Sequence, residues 1–530
     1  TDQAYQTAKV TWGRAGSEPC THNQAAATRT AITVNSAGLY QWKAQLELSP
    51  DSDYCYRIYL GPDIDLLGSD RPQFRTQLPA GSPRPFSFAV FGDWGRVDGQ
   101  GQNPEQARIL ALLAQSGARF ALTSGDNSYP AGSQTNYGDL VQSGPGISAV
   151  FGPQFWAVAG ASIALFPSIG NHDLRADAIN PYLINWPQDR AVAGSGGRYA
   201  RDLYCCLNGT TEARYPSAWY AFNVGTARFY VLHSAWGDLN NGTATAYAND
   251  YAYHWAPESA EYHWLERDLA AHPAKLKFAV FHYPLYSDSS FAPTNAFLQG
   301  SHSLEGLLSR YGVAITFSGH SHTYQRHRNP VTGIVSYVTG GGGAHPMSVG
   351  TIGCSPGNIY AIGWSHQQGR GQVCGAAAVP ATPQEVFHFL LVHVDGKHVT
   401  VEPINSRGER FDRQVYDFTR RAGLPLKPGI GAPSGLSAAI AGSQGVRLTW
   451  GASADSRVSG YVVYRDDSAL ASVDAATTSL NDEAALPGTS YRYSVYAVDQ
   501  FGKASQPSPI VTVHTPLVIW LPLVIQGGRP

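Results

Sequence analysis

Five short polar clusters punctuate this 530-residue chain, and each holds side chains that can do chemistry. They are Gly92-Asp93-Trp94-Gly95, Gly125-Asp126-Asn127-Ser128-Tyr129, Gly170-Asn171-His172-Asp173, Val280-Phe281-His282 and Gly319-His320-Ser321-His322. Together they offer two carboxylates, a phenol, an amide and three imidazoles, with His172 beside them. Hard oxygen donors mixed with imidazole suit a pair of metal ions. In the first three clusters a glycine precedes the polar side chain, where the backbone can turn sharply. Apolar runs lead into the clusters: Phe86–Phe91, Phe120–Leu122, Phe166–Ile169, Phe278–Phe281 and Val313–Phe317. Such runs read as buried parallel strands. In open α/β sheets function collects at the carboxyl ends of strands, so five strand ends can deliver all the ligands to one edge.

The bulk numbers bound the rest. A chain this long exceeds one ordinary core and implies two to four domains. Hydrophobic residues make up 43% and charged residues 14%, which fits a folded chain rather than a disordered one. A net charge of −2 provides no global field for nucleic acid or an anionic membrane, so attraction for an anion must be local. No transmembrane segment is expected, because the longest apolar stretch, Leu517–Ile525, is short and contains Pro522. A chain opening on Thr1, with neither a basic n-region nor an apolar h-region, is expected to be a secreted, mature form whose signal has been removed. Cys20 and Cys55 share one candidate domain, Cys354 and Cys374 share one loop-rich stretch, and Cys205 and Cys206 are adjacent. No C-x-x-C occurs, so disulfides in an exported protein are the expectation.

Residues 1–80 alternate apolar and polar. Leu48–Tyr54 leads into Tyr54, Tyr56 and Ile58, which predicts an inward-facing strand after a tyrosine-corner-like turn. Ala80–Pro85 is a linker. From Phe86, strands alternate with helices expected over Pro104–Gln115, Ser259–Ala271 and His302–Tyr311. Hairpins are expected over Trp219–Ser234, turning at Gly225-Thr226, and Val386–Val401, turning at Asp395-Gly396. The long loops Asn180–Ser217 and Gly237–Trp255 are the expected substrate walls. After the Pro/Gly linker Leu424–Ser434, clean alternation returns in Val446–Trp450, Tyr461–Tyr464 and Tyr491–Val498, and Leu486–Tyr491 forms another corner signature. This segment closely resembles a fibronectin type III domain, and residues 1–80 resemble a fibronectin- or Ig-like sandwich more weakly. The expected organisation is a sandwich at 1–80, an α/β domain at 86–423, a fibronectin type III domain at 433–515 and an apolar tail at 516–530. The tail reads as an added strand or an attachment signal.

The ordered set of clusters resembles the purple acid phosphatase branch of the calcineurin-like metallophosphoesterases. The resemblance covers about residues 1–420, since plant members also carry an N-terminal fibronectin-like domain. It implies a multidomain chain with an α/β metallophosphoesterase core, β-sheets sandwiched by helices, flanked by two all-β fibronectin III-like domains. Many relatives carry D-x-H in the first cluster. Here Asp93-Trp94-Gly95 lacks that His, and Tyr129 stands three residues after Asp126. A phenolate in place of an imidazole favours Fe(III). Carried over by position, the resemblance gives metal one the ligands Asp93, Asp126, Tyr129 and His322. It gives metal two Asp126, Asn171, His282 and His320, with Asp126 bridging. The implied cofactors are Fe(III) plus a divalent ion, Zn, Fe or Mn. With one bridging hydroxide, two carboxylates and a phenolate leave the site about +1, suited to an incoming phosphate ester. The implied reaction is hydrolysis of phosphate monoesters by attack of a metal-bound hydroxide. His172 would bind the phosphoryl oxygens or protonate the leaving group, and Asp173 would orient it.

The chain departs from the family at one place. Many members have a further His nine or ten residues after the counterpart of His282, where Phe291 and Ala292 stand here. Tyr283, Tyr286, His302, Tyr324 and Arg326 are the side chains that could compensate. His233, His254, His263, His388 and His393 read as structural, Gly340–Gly343 as a tight loop near the site, and Trp186, Trp255 and Trp364 as packed cover. Two sequons, Asn208-Gly209-Thr210 and Asn241-Gly242-Thr243, matter only in a eukaryotic secretory host. The alternative enzyme is a phosphodiesterase or nucleotide pyrophosphohydrolase on the same site. The rival of another class is a non-catalytic extracellular adhesion protein, disfavoured because such domains lose ligands and all seven are present. The expected partners are a small phosphate ester and, through the C-terminal domain, an extracellular surface or polymer.

Overall fold

The computed structural model describes residues 5–16, 19–34, 36–97, 103–138, 155, 162–174, 180–186, 198–200, 212–214, 219–234, 255, 260–272, 275–289, 291–292, 298–299, 303–329, 332–351, 353–355, 357–419, 430–442, 445–466, 468–499 and 504–516. Cys205, Cys206, both sequons, His254, His302, the tail 517–530 and most of the two long loops lie outside the described residues. By spatial proximity the chain falls into two units. One is Thr1–Phe297 with Leu308–Leu424; the other is Pro425–Pro530 with the short stretch Leu298–Leu307. Among the described residues no helix is long and apolar enough to cross a membrane.

At the N-terminus, strands Ala8–Arg14, Asn23–Ala26, Asp53–Leu60, Ile64–Asp65 and Gln73–Arg75 make one antiparallel sheet, and Thr28–Val34 pairs with Ala37–Lys43 in a separate hairpin. The corner is present: the Tyr54 hydroxyl accepts from the Ser49 N–H at 2.9 Å. The expected alternation along Asp53–Leu60 is not kept: Tyr54 is buried but Tyr56 and Ile58 are only half-buried, while Cys55 and Arg57 are buried. Cys55 is held by its disulfide to Cys20, and Arg57 by an ion pair with Asp65.

The core is built from two sheets. One runs in the order Ala164–Pro167, Phe120–Thr123, Phe86–Phe91, His388–Asp395, His398–Asn405, Gln414–Asp417, with the first three strands parallel. The other has eight strands, of which Ala227–Val231, Leu276–Val280, Ile315–Ser318 and Val335–Thr339 run parallel. The sequence places the five site-bearing strands at one sheet edge. The structure divides them three and two between these sheets. An aromatic seam holds the sheets face to face: Phe88 lies 5.0 Å from Phe229 and 5.4 Å from Phe278, and Phe166 stacks on Phe222 at 4.1 Å. On the other face of the first sheet, Ala89 and Phe91 pack with Ile109, Leu110 and Leu113 of helix Pro104–Gln115. Strands buried on both faces need apolar side chains at every position, hence the unbroken runs. The helix starts where expected, with Pro104 in its first turn and the Asn103 side chain accepting from the Gln106 N–H at 3.0 Å. Both expected hairpins form, turning through Gly225 and Gly396 at φ 55° and 60°.

The second unit carries two antiparallel sheets around a core of its own that includes Trp450, Tyr461, Tyr493 and Val495. Its corner is also present, with the Tyr491 hydroxyl accepting from the Leu486 N–H at 2.9 Å.

His388 opens a strand of the first sheet and is fully buried. Its Nδ1 donates to the Val386 carbonyl at 2.7 Å, while its Nε2 has no partner among the described residues. Burial therefore pulls its pKa down to about 4 from an ordinary 6.5. A base whose folded pKa is depressed costs nothing above its unfolded pKa. It destabilises the fold as pH drops from about 6.5 towards 4, by on the order of 3 kcal/mol in total. Melting temperature measured between pH 7 and 4.5 should fall less steeply for His388→Phe than for the wild type. Parallel slopes would show that His388 is not a source of acid lability.

Candidate metal centre

All five clusters leave the carboxyl ends of their strands, and three residues take left-handed backbone to do so: Asp93 at φ 56°, Asp126 at 50° and His320 at 65°. Asp and His tolerate that region better than most side chains. The sharp turns are thus made in part by the functional residues themselves. Gly170 and Gly319 serve close approach instead. A Cβ on Gly170 would strike the backbone N and carboxylate of Asp126, and one on Gly319 would strike the Asp93 carboxylate and the Ser124 carbonyl.

The donor atoms gather in two overlapping groups. In the first, the Tyr129 hydroxyl lies 2.9 Å from Asp126 Oδ2, 3.3 Å from Asp93 Oδ1 and 3.3 Å from His322 Nε2. His322 Nε2 lies 3.4 Å from Asp93 Oδ1. In the second, Asn171 Oδ1 lies 2.9 Å from His282 Nε2 and 3.0 Å from His320 Nδ1, and His282 Nε2 lies 3.3 Å from Asp126 Oδ1. Asp126 alone belongs to both groups, one oxygen to each. Asp93, Asp126 and His282 offer ligand atoms within 4.8 Å of one another, a group that could hold a metal ion.

The imidazoles are fixed from outside. His282 Nδ1 faces the Ser124 carbonyl and His322 Nδ1 the His345 carbonyl, each at 2.8 Å. A carbonyl only accepts, so both rings carry their proton on Nδ1 and direct Nε2 inward, as metal-binding histidines do. The Tyr283 ring packs 4.2 Å from that of His320.

Asp173 and His172 are neighbours in sequence but point to different partners. Asp173 Oδ2 accepts from the Gly170 N–H at 2.8 Å, the Asn127 N–H at 3.2 Å and the Asn127 amide at 3.0 Å; Oδ1 accepts from the Ser128 N–H at 3.1 Å. His172 Nδ1 instead donates to the Pro130 carbonyl at 2.7 Å, and its Nε2 lies 3.9 Å from Asp126 Oδ2. The expectation that Asp173 orients His172 is therefore replaced: Asp173 ties two strand-end loops together, and a backbone carbonyl orients the imidazole.

Burial, followed by the Asp126 and Asp93 carboxylates, raises the Tyr129 phenol well above its ordinary range. Burial also pushes Asp126 up, but His282 and His172 outweigh it and leave that carboxyl low. Burial pulls His282 down while Asp126 draws it up, to about 9. The metal-free pair is then an imidazolium beside a carboxylate, and a cation at Asp126 would displace that proton. His320, lowered by burial and by His282, is neutral and has a lone pair to give. Burial and the Asp126 charge raise Asp173 to about 7, against the pull of its N–H donors.

Sequence reasoning passed over four contributors. Trp94 is buried and donates from Nε1 to Asn127 Oδ1 at 3.1 Å, so these two brace the first loop against the second. Both lie inside the quoted clusters and could have been weighed there. The carbonyls of Ser124 and His345 carry no sequence signal, since any residue supplies one. Of the candidates to replace the missing His, Tyr283 reaches the site. Tyr286 stacks on His327 at 3.8 Å, and Tyr324 and Arg326 are bound to Asp412. Phe291 is 70% exposed. Gly340–Gly343 is a tight loop against the site: Gly342 N–H donates to the Gly92 carbonyl at 2.9 Å, and Ala344 N–H to that of Asp93 at 2.7 Å.

Residues 86–324 match the calcineurin-like phosphoesterase family model, and residues 431–514 match that of the fibronectin type III domain. The chain thus carries a calcineurin-like phosphoesterase domain, within which all the candidate site residues fall, and a fibronectin type III domain after it. Over 371 residues it is 23% identical to an acid phosphatase of Aspergillus ficuum, covering 53% of this chain and 58% of that protein. Over 209 residues it is 25% identical to a nucleotide pyrophosphatase/phosphodiesterase of Hordeum vulgare, covering 32% of this chain and 56% of that one. The chain spans less than three fifths of these relatives' lengths. In fold it is similar to the solved structure of a purple acid phosphatase from yellow lupin (Lupinus luteus) seeds, with a TM-score of 0.53 and 16% identity over 78% of this chain and 70% of that one.

The Asp173 geometry separates scaffold from chemistry. Asp173→Ala strands several buried N–H donors, at roughly 1–3 kcal/mol for each left without an acceptor. Melting temperature and bound metal should fall together. Unchanged melting and metal content with lost turnover would return Asp173 to a direct part in the reaction.

Proposed function

We propose that this chain is a secreted phosphohydrolase that cleaves phosphate monoesters at a binuclear metal centre. The observation that carries this is the convergence of the donor atoms in two groups sharing Asp126. The donor chemistry fits. Asp93 and Asp126 are buried, and neither is paired with a Lys or Arg among the described residues. Two of the imidazoles are held at Nδ1 so that Nε2 faces inward. Asp93, Tyr129, His322 and one Asp126 oxygen would hold Fe(III), for which a phenolate is a suitable hard ligand. Asn171, His282, His320 and the other Asp126 oxygen would hold Zn, Fe or Mn. Bound there, the ions supply Lewis acidity towards a phosphoryl oxygen and make water acidic enough to act as the nucleophile.

The chain's own groups do the rest. With its proton on Nδ1 held by Pro130, His172 leaves Nε2 beside Asp126, on a side chain still 19% exposed. When the ring carries a second proton on Nε2, that N–H can hold a phosphoryl oxygen or pass its proton to the alcohol oxygen as the bond to phosphorus breaks. Tyr283 restrains His320 by packing. The disulfides Cys20–Cys55 and Cys354–Cys374 fit an oxidising, extracellular setting. A second reading, cleavage of phosphodiesters or nucleotide pyrophosphates at the same site, draws support from the barley relative. Paired assays with p-nitrophenyl phosphate and bis(p-nitrophenyl) phosphate separate the two. Faster turnover of the diester would overturn the monoester reading, and turnover of neither by protein loaded with both ions would overturn the enzyme.

A phenolate on Fe(III) absorbs visible light, so the iron-loaded protein should be pink to purple, and Tyr129→Phe should bleach it while the far-UV spectrum stays unchanged. A colourless protein with full iron occupancy would remove Tyr129 from the ligand set. His172→Ala should keep about two ions per chain and lose roughly 10²–10⁴ in kcat. His282→Ala should lose one ion and activity together. Loss of metal from His172→Ala, or turnover close to wild type, would reverse this division of roles.

A further inference from the structure

A second feature adjoins the metal centre and is not used by the reaction as derived above. A cleft of about 550 Å³ is lined by Arg96, His345, His366, Asn103, Glu105 and Pro383, among others. Arg96 follows directly on the loop bearing Asp93. His345 offers its backbone carbonyl to the ligand His322 and its exposed side chain to the cleft. The rings of His345 and His366 lie 5.8 Å apart, and Arg96 lines the same cleft. Three basic side chains therefore converge one imidazole away from the metal groups.

None of this basic character is used internally. Arg96 and His366 are exposed, and neither side chain has a hydrogen bond or ion pair among the described residues. The cleft does contain a carboxylate, Glu105, whose Oε1 is engaged by Arg108 at 2.6 Å and by the Gln384 amide at 3.2 Å and whose Oε2 is buried without a partner among the described residues. Exposed basic groups that ring a concavity with no partner of their own make a site for an anion. Arg presents a planar fork matched to phosphate oxygens. The cleft also opens beside the start of helix Pro104–Gln115, whose N-terminal dipole adds to the positive field.

We propose that Arg96, His345 and His366 form a subsite for a second phosphate on the same substrate, so that the preferred substrates are esters bearing two or more phosphate groups. This rests on the monoester reading: one phosphate reacts at the metal groups while the other is held at the cleft. The subsite raises affinity without entering the bond-breaking step, so its contribution appears in KM and leaves kcat unchanged. It also makes the preference fall with salt, because the contact is exposed.

The test compares glucose 6-phosphate with glucose 1,6-bisphosphate on the metal-loaded full chain, for wild type and the double variant Arg96→Gln/His366→Gln. Wild type should favour the bisphosphate by about tenfold or more in kcat/KM, as expected when one charge-assisted contact is worth roughly 1.4 kcal/mol or more. The double variant should abolish that preference through KM and leave glucose 6-phosphate within about twofold. Calorimetric binding of the same two esters reads the preference without turnover. If neither ester is hydrolysed but the binding preference appears and vanishes in the variant, the monoester reading fails and the subsite stands. A wild type that binds both esters equally overturns the subsite. So does a variant that keeps the preference, or one that loses both substrates alike.

Discussion

Two carboxylates are buried in this core, each within 3.3 Å of the buried Tyr129 hydroxyl, with no lysine or arginine paired to either acid among the described residues. Isolated buried anions cost several kcal/mol each, so such an arrangement persists only if positive charge comes from elsewhere. In the chain alone, His282 supplies it as an imidazolium against Asp126. Much of the surrounding structure follows from that demand. Carbonyl oxygens of Ser124 and His345 set the imidazole tautomers, and Asp173 ties the Gly125–Tyr129 and Gly170–Asp173 loops together through three hydrogen bonds. The centre is a set of electrostatic obligations that the loops meet together.

The two-sheet core explains how five loops can be held to that tolerance. Each donor stands two to six residues beyond a strand whose interior side chains lock into the aromatic seam of Phe88, Phe120, Phe229 and Phe278. Close-packed aromatic contacts leave little freedom for a strand to slide. Placing three strands in one sheet and two in the other brings ligands in from two sides, so that Asp126 from the first sheet meets His282 from the second.

What was legible in the sequence was what is local. The runs Phe86–Phe91 and Phe278–Phe281 declare buried strands, the polar residues just after them declare strand ends, and both tyrosine corners and both hairpin turns were readable from a few adjacent residues. The partition into two sheets was not, because a parallel strand buried on both faces carries no mark of its neighbour. The partner of Asp173 was not, because backbone N–H groups are the same everywhere along a chain. Nor was the role of His345, whose contribution to the centre is a carbonyl. At Arg57 the period-two pattern failed for a related reason: an ion pair with Asp65 let a charged residue occupy a buried position.

The left-handed backbone at Asp93, Asp126 and His320 also narrows which neighbours in sequence space this centre can reach. Asparagine accepts a φ near 50° at least as readily as aspartate, whereas a β-branched residue there is sterically strained. A drift from Asp to Asn at position 126 therefore preserves the loop and removes only the charge. A drift to Val or Thr distorts the loop, and with it the seat of every other donor. Chains of this architecture that have lost their chemistry should accordingly carry amides where the acids stood, with the loops still intact around them.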